Sequence, residues 1–335
     1  MRVPFIRKLS PTQERARARA AGTAAAAVAD VSSEGFVPTD TTTAAFFDVD
    51  NTMMMGASIF HFAKGLATRK FFTTGDIARM VYQQAKFRMI GAENTDDIHS
   101  SRDRALAFVK DVEVAQITTL GEEIYDEEMA QKIYSGTRSL AQMHLDAGQR
   151  VWLVTATPVE LATVIADRLG LTGALGTVAE HVDGKYTGRL VGEMMHGNAK
   201  AEAITALAER EGLDLSRCTA YSDSINDLPM LTLVGRAVAV NPDPDLRKEA
   251  IERGWEIRDY RTGRKVVKIG ALTTLVGAAT TGTVIGGIAL YRATHRRSER
   301  HKQPQEPEPR LRRMSVRVRE AARTVAPEFA HERGR

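Results

Sequence analysis

Two aspartates separated by one residue follow a short apolar run near residue 45. Asp48 and Asp50 come directly after Phe46 and Phe47, and Thr52 lies two residues further on. Placing two carboxylates beside a buried aromatic segment costs free energy unless another group interacts with their negative charge. A divalent cation uses such charge, and so does a reaction in which one aspartate attacks a substrate while the other transfers a proton. The pattern alone also fits an ordinary polar strand end.

Three later segments carry further polar residues in a suggestive order. An apolar run from Val151 ends in hydroxyls, a lysine opens a helix after Gly197, and a third predicted strand ends in two more aspartates. The residues that could do chemistry in these segments are Thr155, Ala156, Lys200, Asp223, Asn226 and Asp227.

The elements that must position these residues are strands alternating with helices from residue 149 onward. Strands are predicted at 151–154, 178–182, 186–190, 218–222, 237–240 and 255–257, and helices at 158–169, 199–211 and 245–253. Asp183-Gly184 predicts a hairpin turn. This alternation is typical of a parallel, doubly wound α/β sheet, in which ligands bind beyond the carboxyl ends of the strands. Residues 53–149, between the first two strands, show helical periodicity instead.

In the order and spacing of these motifs, the chain resembles the haloacid dehalogenase superfamily of aspartate-nucleophile phosphatases, and most closely its subfamily IB, which contains phosphoserine phosphatase. The resemblance runs from about Ala44 to Arg258. It implies a catalytic core formed by residues 44–52 and 150–258, with residues 53–149 inserted as a helical cap. A cap of this kind closes over a site and excludes water.

The resemblance also implies a role for each site residue. Asp48 would be the nucleophile that becomes an aspartyl-phosphate, and Asp50 would be the general acid and base. Lys200 would balance the carboxylate charge. Thr155 and the backbone at Ala156 would hold phosphate oxygens, and Asn226 would orient the group. The cofactor would be Mg²⁺, a cation that prefers oxygen ligands; its expected ligands are Asp48, Asp50, Asp223 and Asp227.

One position departs from the pattern of phosphoserine phosphatases. Those enzymes have a glutamate nine residues after the nucleophile, which meets the ammonium group of the substrate, whereas this chain has Ala57. A methyl group cannot hold an ammonium. The expected substrate is therefore a small phosphomonoester, either phosphoserine-like or derived from a lipid.

Composition sets the class of protein and its partners. The 335 residues are 43% hydrophobic and 26% charged, which is ordinary for a globular protein. The net charge of +4 is unevenly spread, because residues 292–335 carry 13 Lys or Arg against six Asp or Glu. A basic excess in the ends rather than in the core argues against nucleic acid as a partner. The single cysteine, Cys218, excludes an intrachain disulfide and fits a reducing compartment.

The two ends of the chain are predicted to lie outside the catalytic unit. Residues 1–43 are expected to form a disordered basic arm and linker. Residues 266–291 include 23 uncharged residues in a row, long enough for a transmembrane helix, and their Gly282-x-x-x-Gly286 motif would allow helix self-association. Residues 292–335 are expected to be a disordered basic tail. The catalytic domain is thus predicted to be cytoplasmic and tethered to a membrane by a single span.

Two other functions remain open from the sequence. One is a membrane-tethered regulatory or adaptor protein that keeps the scaffold but has little turnover. The other is a phosphotransferase that passes the phosphoryl group from Asp48 to an acceptor other than water.

Overall fold

The computed structural model describes residues 10–30, 38–69, 71 and 109–261. The predicted transmembrane helix at 266–291, the tail at 292–335 and most of the middle of the predicted cap lie outside the described residues. In the described parts of the chain, no helix is long and apolar enough to cross a bilayer.

The core of the fold is a parallel sheet, as the sequence predicts. Its order is β3-β2-β1-β6-β7-β8, and every neighbouring pair is parallel. The strands are β1 (Ala44–Phe47), β2 (Arg150–Pro158), β3 (Gly173–Thr177), β6 (Thr219–Ser222), β7 (Arg236–Val240) and β8 (Glu256–Arg258). The antiparallel hairpin of β4 (Ala179–Val182) and β5 (Lys185–Leu190) lies apart from this sheet.

Alternation along the strands buries both faces of the sheet. In β1, Ala44 and Phe46 belong to one apolar cluster, and Ala45 and Phe47 belong to the other. Successive side chains of a strand point to opposite faces, so a strand covered on both sides needs a continuous apolar run. This is why the AAFF sequence becomes a central strand.

The strand order reverses at β1. The chain moves outward through β2 and β3 on one side, then returns to β6 and continues through β7 and β8 on the other. The carboxyl end of β1 is therefore a topological switch point, where open α/β sheets place their binding crevice.

Helices cover both faces of the sheet. Those described are α1 (Pro11–Val28), α2 (Ser58–Thr68), α3 (Val114–Ile124), α4 (Ser135–Asp146), α5 (Val159–Leu169), α6 (Asn198–Glu211), α7 (Leu228–Leu233) and α8 (Pro244–Arg253).

The predicted cap segment contains α2, α3 and α4, but α4 packs against the sheet. His144 of α4 is bonded through Nε2 to the Tyr221 hydroxyl of β6 at 2.7 Å. Tyr221 in turn stacks on Phe47 of β1, with ring centroids 4.1 Å apart. The last part of the predicted range 53–149 therefore belongs to the core layer. Helical periodicity cannot separate a cap helix from a helix that covers the sheet.

The prediction of a disordered arm over residues 1–43 is wrong for residues 11–28. These form α1, which begins with a capping box between Ser10 and Gln13 and packs along α6. Gly22 lies so close to α6 that an added Cβ would be 2.6 Å from the backbone nitrogen of Ala203. The alanine-rich sequence suits this close approach, because small side chains let two helix backbones come together.

Two smaller features complete the comparison with the sequence. The hairpin turn at Asp183-Gly184 is confirmed, with φ values of 51° and 79°. Strand β3 was not predicted, because its sequence GALGT has two glycines, a single β-branched residue and no alternation. A side chain at Gly173 or Gly176 would collide with Trp152 or Val159, so the close packing of β3 requires these glycines.

Candidate active site

Asp48 lies at the switch point of the sheet, one residue past the end of β1. Its backbone N–H donates to the carbonyl of Tyr221 at 2.9 Å, which extends the pairing of β1 with β6. The carboxylate is buried. The same strand pairing that builds the core therefore fixes the backbone of the predicted nucleophile.

Lys200 reaches this carboxylate from the first turn of α6. Its Nζ donates to Asp48 Oδ1 at 2.6 Å and to Asp227 Oδ2 at 2.7 Å, and the residue is only 4% exposed. Gly197, with φ of 54°, turns the chain into α6 just before the lysine. The structure thus brings together three predicted site residues that are far apart in the sequence.

The loop after β6 presents Asp223 and Asp227. Asp227 is buried and accepts a second hydrogen bond, from Ser222 Oγ at 2.7 Å. Asp243 anchors the loop: its Oδ2 accepts from the Ile225 N–H at 3.0 Å, and its own N–H donates to the Asp223 carbonyl at 2.7 Å.

The electrostatics of the site show an excess of negative charge. Burial raises the pKa of Asp48 to about 8, against the attraction of Lys200. Burial and the charge of Asp227 likewise raise the pKa of Asp223 to about 7. Burial also disfavours the charge on Lys200, but the attraction of Asp48 and Asp227 outweighs it and raises the lysine pKa. The positive charge of Lys200 is therefore set against three acidic side chains, those of Asp48, Asp223 and Asp227.

A divalent cation fits this donor set, because it would neutralise the charge that Lys200 leaves uncompensated. Asp223 has no ion-pair partner within the described chain. Among the described residues, no three His, Cys, Asp or Glu side chains lie together in a position to hold a metal ion. Mg²⁺ usually takes only one or two ligands from protein carboxylates and the rest from water or phosphate.

Asp50 belongs to a second group of polar side chains. Its Oδ1 accepts from the backbone N–H of Ser58 at 2.9 Å and from Ser58 Oγ at 2.5 Å. Ser58 is the first residue of α2, and its hydroxyl also contacts Thr157 Oγ1 at 2.5 Å. The start of the predicted cap segment is thereby fastened to the predicted general acid.

The predicted phosphate-binding residues lie at the end of β2. Thr155 is buried, and its hydroxyl donates to Thr157 Oγ1 at 3.1 Å and accepts from the Thr157 N–H at 3.2 Å. The carbonyl of Ala156 accepts from Thr177 Oγ1 at 2.6 Å. A phosphate oxygen at Thr155 would compete with Thr157 for the hydroxyl proton.

Asn226 is the predicted site residue that stands apart from the others. It is exposed, and its side-chain amide and backbone N–H both donate to Ser224 Oγ at 3.3 Å. Within the described residues, its hydrogen bonds do not reach Asp48 or Lys200.

The sequence analysis did not identify four residues that shape the site. These are Ser58, Ser222, Asn241 and Asp243. Asn241 donates through Nδ2 to the carbonyl of Asn51 at 2.9 Å and so holds the turn after Asp50. Asn51 adopts φ of 58°, a conformation that asparagine tolerates better than most residues. Only Asp243 carries a local signal, because Asp followed by Pro is typical of a helix start.

Comparison with known proteins agrees with this arrangement. Residues 45–232 match the family described as haloacid dehalogenase-like hydrolase. The phosphoserine phosphatase SerB1 of Mycobacterium tuberculosis is 58% identical over 274 residues, which cover 82% of this chain and 87% of that protein. The histidinol-phosphatase of Neisseria meningitidis is 30% identical over 221 residues, covering 65% of this chain and 98% of that protein.

A solved structure gives the same result for the fold. A protein of unknown function from Bordetella pertussis Tohama I superimposes with a TM-score of 0.59 at 28% identity, over 66% of this chain and 100% of that one. The family match covers more than half of the chain and contains the switch-point residues described above. The chain belongs to the haloacid dehalogenase-like hydrolase family, as one of its phosphatases.

Proposed function

We propose that this protein hydrolyses small phosphomonoesters through an aspartyl-phosphate on Asp48, with Mg²⁺ as cofactor. The observation that carries the proposal is the buried contact of Lys200 with Asp48 and Asp227 at the end of β1. Lys200 fixes the carboxyl group of Asp48 at the switch point, and Lys200 together with a bound Mg²⁺ would favour its ionised form, which is the form that attacks.

The reaction divides into two displacements that Asp48 and Asp50 share. In the first, an oxygen of Asp48 bonds to phosphorus, the ester P–O bond breaks, and Asp50 gives its proton to the leaving oxygen. In the second, Asp50 takes a proton from water as the water oxygen bonds to phosphorus. The bond from phosphorus to Asp48 then breaks, which releases inorganic phosphate and restores both carboxyl groups.

Three other groups complete the proposed mechanism. Lys200 offsets the negative charge that collects around the phosphoryl group. Thr155 and the backbone N–H of Ala156 would contact phosphate oxygens. A bound Mg²⁺ would neutralise phosphate and carboxylate charge; the residues that would hold it are Asp48, Asp223, Asp227 and the backbone carbonyl of Asp50.

The substrate class rests on the residues at the start of α2. No carboxylate stands at Ala57, the N-cap of that helix. Next to Ser58, by contrast, Ile59 and Phe60 are 46% and 67% exposed. These apolar side chains favour a leaving group with an apolar part, and a lipid-derived monoester is the second candidate beside phosphoserine itself. The two relatives above are named for different substrates, so membership in the family does not identify the substrate of this chain. The proposed substrate class therefore rests on the residues at the start of α2.

The test is phosphate release by the full chain from a panel of phosphomonoesters, with and without Mg²⁺. The panel includes phosphoserine, histidinol phosphate, glycerol phosphate and a lysophosphatidate. We expect Mg²⁺-dependent release, at least about a thousandfold lower in Asp48→Asn because the nucleophile is gone. Asp245→Asn, an exposed aspartate in α8, is the matched control.

The same experiment separates the two alternatives. A folded wild-type chain that releases no phosphate and transfers none supports the regulatory or adaptor function. Transfer of the phosphoryl group to an added alcohol in preference to water would identify a phosphotransferase. Either result contradicts the proposed hydrolase.

A further inference from the structure

Three buried hydroxyls connect the proposed general acid to the end of β2. They belong to Ser58, Thr157 and Thr155, each at most 2% exposed. Ser58 Oγ lies 2.5 Å from Asp50 Oδ1 and 2.5 Å from Thr157 Oγ1, which in turn lies 3.1 Å from Thr155 Oγ1. The contact between Ser58 and Thr157 joins residues 99 positions apart, so the fold itself assembles this row.

The direction of these hydrogen bonds follows from counting protons. A hydroxyl has one proton to donate, and an ionised carboxylate can only accept. Ser58 therefore gives its proton to Asp50, and its oxygen is left to accept from Thr157. Thr157 has then used its own proton, so its oxygen accepts from Thr155. Every hydroxyl in the row donates toward Asp50.

This arrangement makes the two oxygens of Asp50 unequal. Oδ1 receives both the hydroxyl and the backbone N–H of Ser58, whereas among the described residues no hydrogen bond reaches Oδ2. A proton on Asp50 is favoured on Oδ2, because on Oδ1 it would face the fixed N–H of Ser58 and would require the row of hydroxyls to reverse its hydrogen bonds. Oδ2 is thus the oxygen that can give a proton to a leaving group and later take one from water.

The start of α2 explains why Ser58 is available for this task. The preceding residue, Ala57, offers no side-chain cap, so the first N–H groups of the helix need another acceptor. Asp50 is that acceptor for Ser58, and the helix N-terminus favours its negative charge. One residue thereby supplies two donors to one carboxylate oxygen.

We propose that Ser58 is a positioning residue for proton transfer, which it serves by occupying Asp50 Oδ1 and leaving Oδ2 free to exchange the proton. Thr157 supports it by fixing the orientation of the Ser58 hydroxyl. This inference rests on the proposed phosphatase function and adds a residue that acts through Asp50 rather than on the substrate.

The test compares leaving groups that need a proton with one that does not. Ser58→Ala is assayed in the full chain with glycerol phosphate, whose alkoxide must be protonated, and with p-nitrophenyl phosphate, whose leaving group is stable as an anion. The comparison uses kcat/KM, which reports only the first displacement, because Asp50 also acts as base in the second displacement and that step is the same for both substrates. General acid–base catalysis contributes about 10²–10⁴-fold, so we expect kcat/KM to fall about 10–100-fold on glycerol phosphate. We expect kcat/KM to fall less than about threefold on p-nitrophenyl phosphate, because its leaving group needs no proton.

Two more variants keep the result decisive. Ser58→Thr keeps the hydroxyl and should restore most of the kcat/KM on glycerol phosphate. Thr157→Val removes the hydroxyl that donates to Ser58 and accepts from Thr155 while leaving Ser58 itself in place, so kcat/KM should show the same dependence on the leaving group at about 3–10-fold. It provides the test if Ser58→Ala does not fold. Ser139→Ala, an exposed serine in α4, is the control.

The outcomes also separate this inference from the function on which it rests. Equal losses on both substrates, or no loss on either, would overturn the positioning role while leaving a phosphatase. A wild-type chain inactive on both substrates would instead overturn the proposed function.

Discussion

A single buried ammonium holds the site together at the scale of residues. Lys200 contacts both Asp48 and Asp227, so replacing it leaves two carboxylates buried without their partner. Breaking a buried ion pair in this way costs about 3–5 kcal/mol. We therefore expect Lys200→Met to lower the free energy of unfolding by about 3 kcal/mol, measured by urea denaturation at neutral pH.

Lys248→Met is the matched control for this prediction. Lys248 is exposed on α8, and its contact with Glu252 is 3.9 Å long, so its loss should change stability by less than about 0.5 kcal/mol. Equal effects of the two substitutions would show that Lys200 has no special part in holding the carboxylates.

A second buried acid makes stability depend on pH away from the catalytic residues. Glu160, at the start of α5, is 1% exposed, and burial raises its pKa to about 7 despite the nearby Tyr186 hydroxyl. The unfolded chain ionises near the ordinary value of 4.5. The stability contributed by the protonated form is complete below about pH 4.5 and is lost as the pH rises through about 7.

We expect Glu160→Gln to remove this loss, because the amide cannot ionise. At pH 8 the variant should be more stable than the wild type by about 2–3 kcal/mol, and at pH 5 the difference should be much smaller. Denaturant unfolding at the two pH values measures it. Glu209→Gln, at an exposed position, should show the same dependence of stability on pH as the wild type. If Glu160→Gln also shows it, burial does not raise the pKa of Glu160.

The site residues that sequence alone could identify share one property. Asp48 and Thr155 each follow an apolar run directly, and Asp223 follows the predicted strand at 218–222, so their place at the carboxyl edge of a parallel sheet could be predicted. Ser58 and Asn241 could not, because their partners lie in other segments and nothing in their neighbours indicates the contact. Such supporting residues become visible only when the fold brings the segments together.

At the scale of elements, the close contact of α1 with α6 gives a prediction about stability. Gly22 allows it, since a Cβ there would lie 2.6 Å from the backbone of Ala203. Overpacking a fitted contact costs about 1–3 kcal/mol. We expect Gly22→Val to lower the thermal midpoint by several degrees, whereas Thr23→Val on the exposed face should not, as measured by circular dichroism.

A thermal midpoint unchanged in Gly22→Val would mean that α1 is not packed against α6. The sequence favoured a disordered arm over this helix because an alanine run has little hydrophobicity of its own. The alanines stabilise α1 by letting it approach α6 closely. This contact depends on α6, so the sequence of α1 alone does not reveal it. Strand β3 was not predicted for a similar reason: its glycines leave room for Trp152 and Val159, which lie in other segments of the chain.

At the scale of the whole molecule, alternating apolar strands and helices were enough to predict a parallel α/β sheet. The hairpin at Asp183-Gly184 could also be read from its turn residues. The extent of the cap could not, because α4 has the same periodicity as a cap helix and yet covers the sheet. The membrane tether and the cytoplasmic location stay predictions, since residues 266–291 lie outside the described residues.

Charge balance across the fold gives a prediction about the cofactor. Asp48, Asp223 and Asp227 come from two loops and share one lysine, so Mg²⁺ should stabilise the folded chain by binding it and not the unfolded one. At about a hundred times its Kd, a ligand adds about 2.7 kcal/mol. We expect the thermal midpoint to rise by several degrees with Mg²⁺ in the wild type.

Asp223→Asn tests the origin of that shift. Asp223 is half-buried, and removing its negative charge should leave the metal-free protein at least as stable as the wild type at pH 8, because desolvation raises the pKa of Asp223 to about 7. The rise with Mg²⁺ should be largely lost. A variant that responds to Mg²⁺ as the wild type does would show that Asp223 does not hold the cation.

The measurement that tests the central claim most directly is the capture of the phosphorylated protein. The Asp50→Asn variant is mixed with p-nitrophenyl phosphate and Mg²⁺, quenched in acid and digested, and the peptide containing Asp48 is analysed by mass spectrometry. Because this variant lacks the base that activates water, the intermediate should accumulate with one phosphoryl group on Asp48. No phosphorylated peptide should form in the double variant that also carries Asp48→Asn. Phosphate release without modification of Asp48, or a phosphoryl group on another residue, would contradict the mechanism.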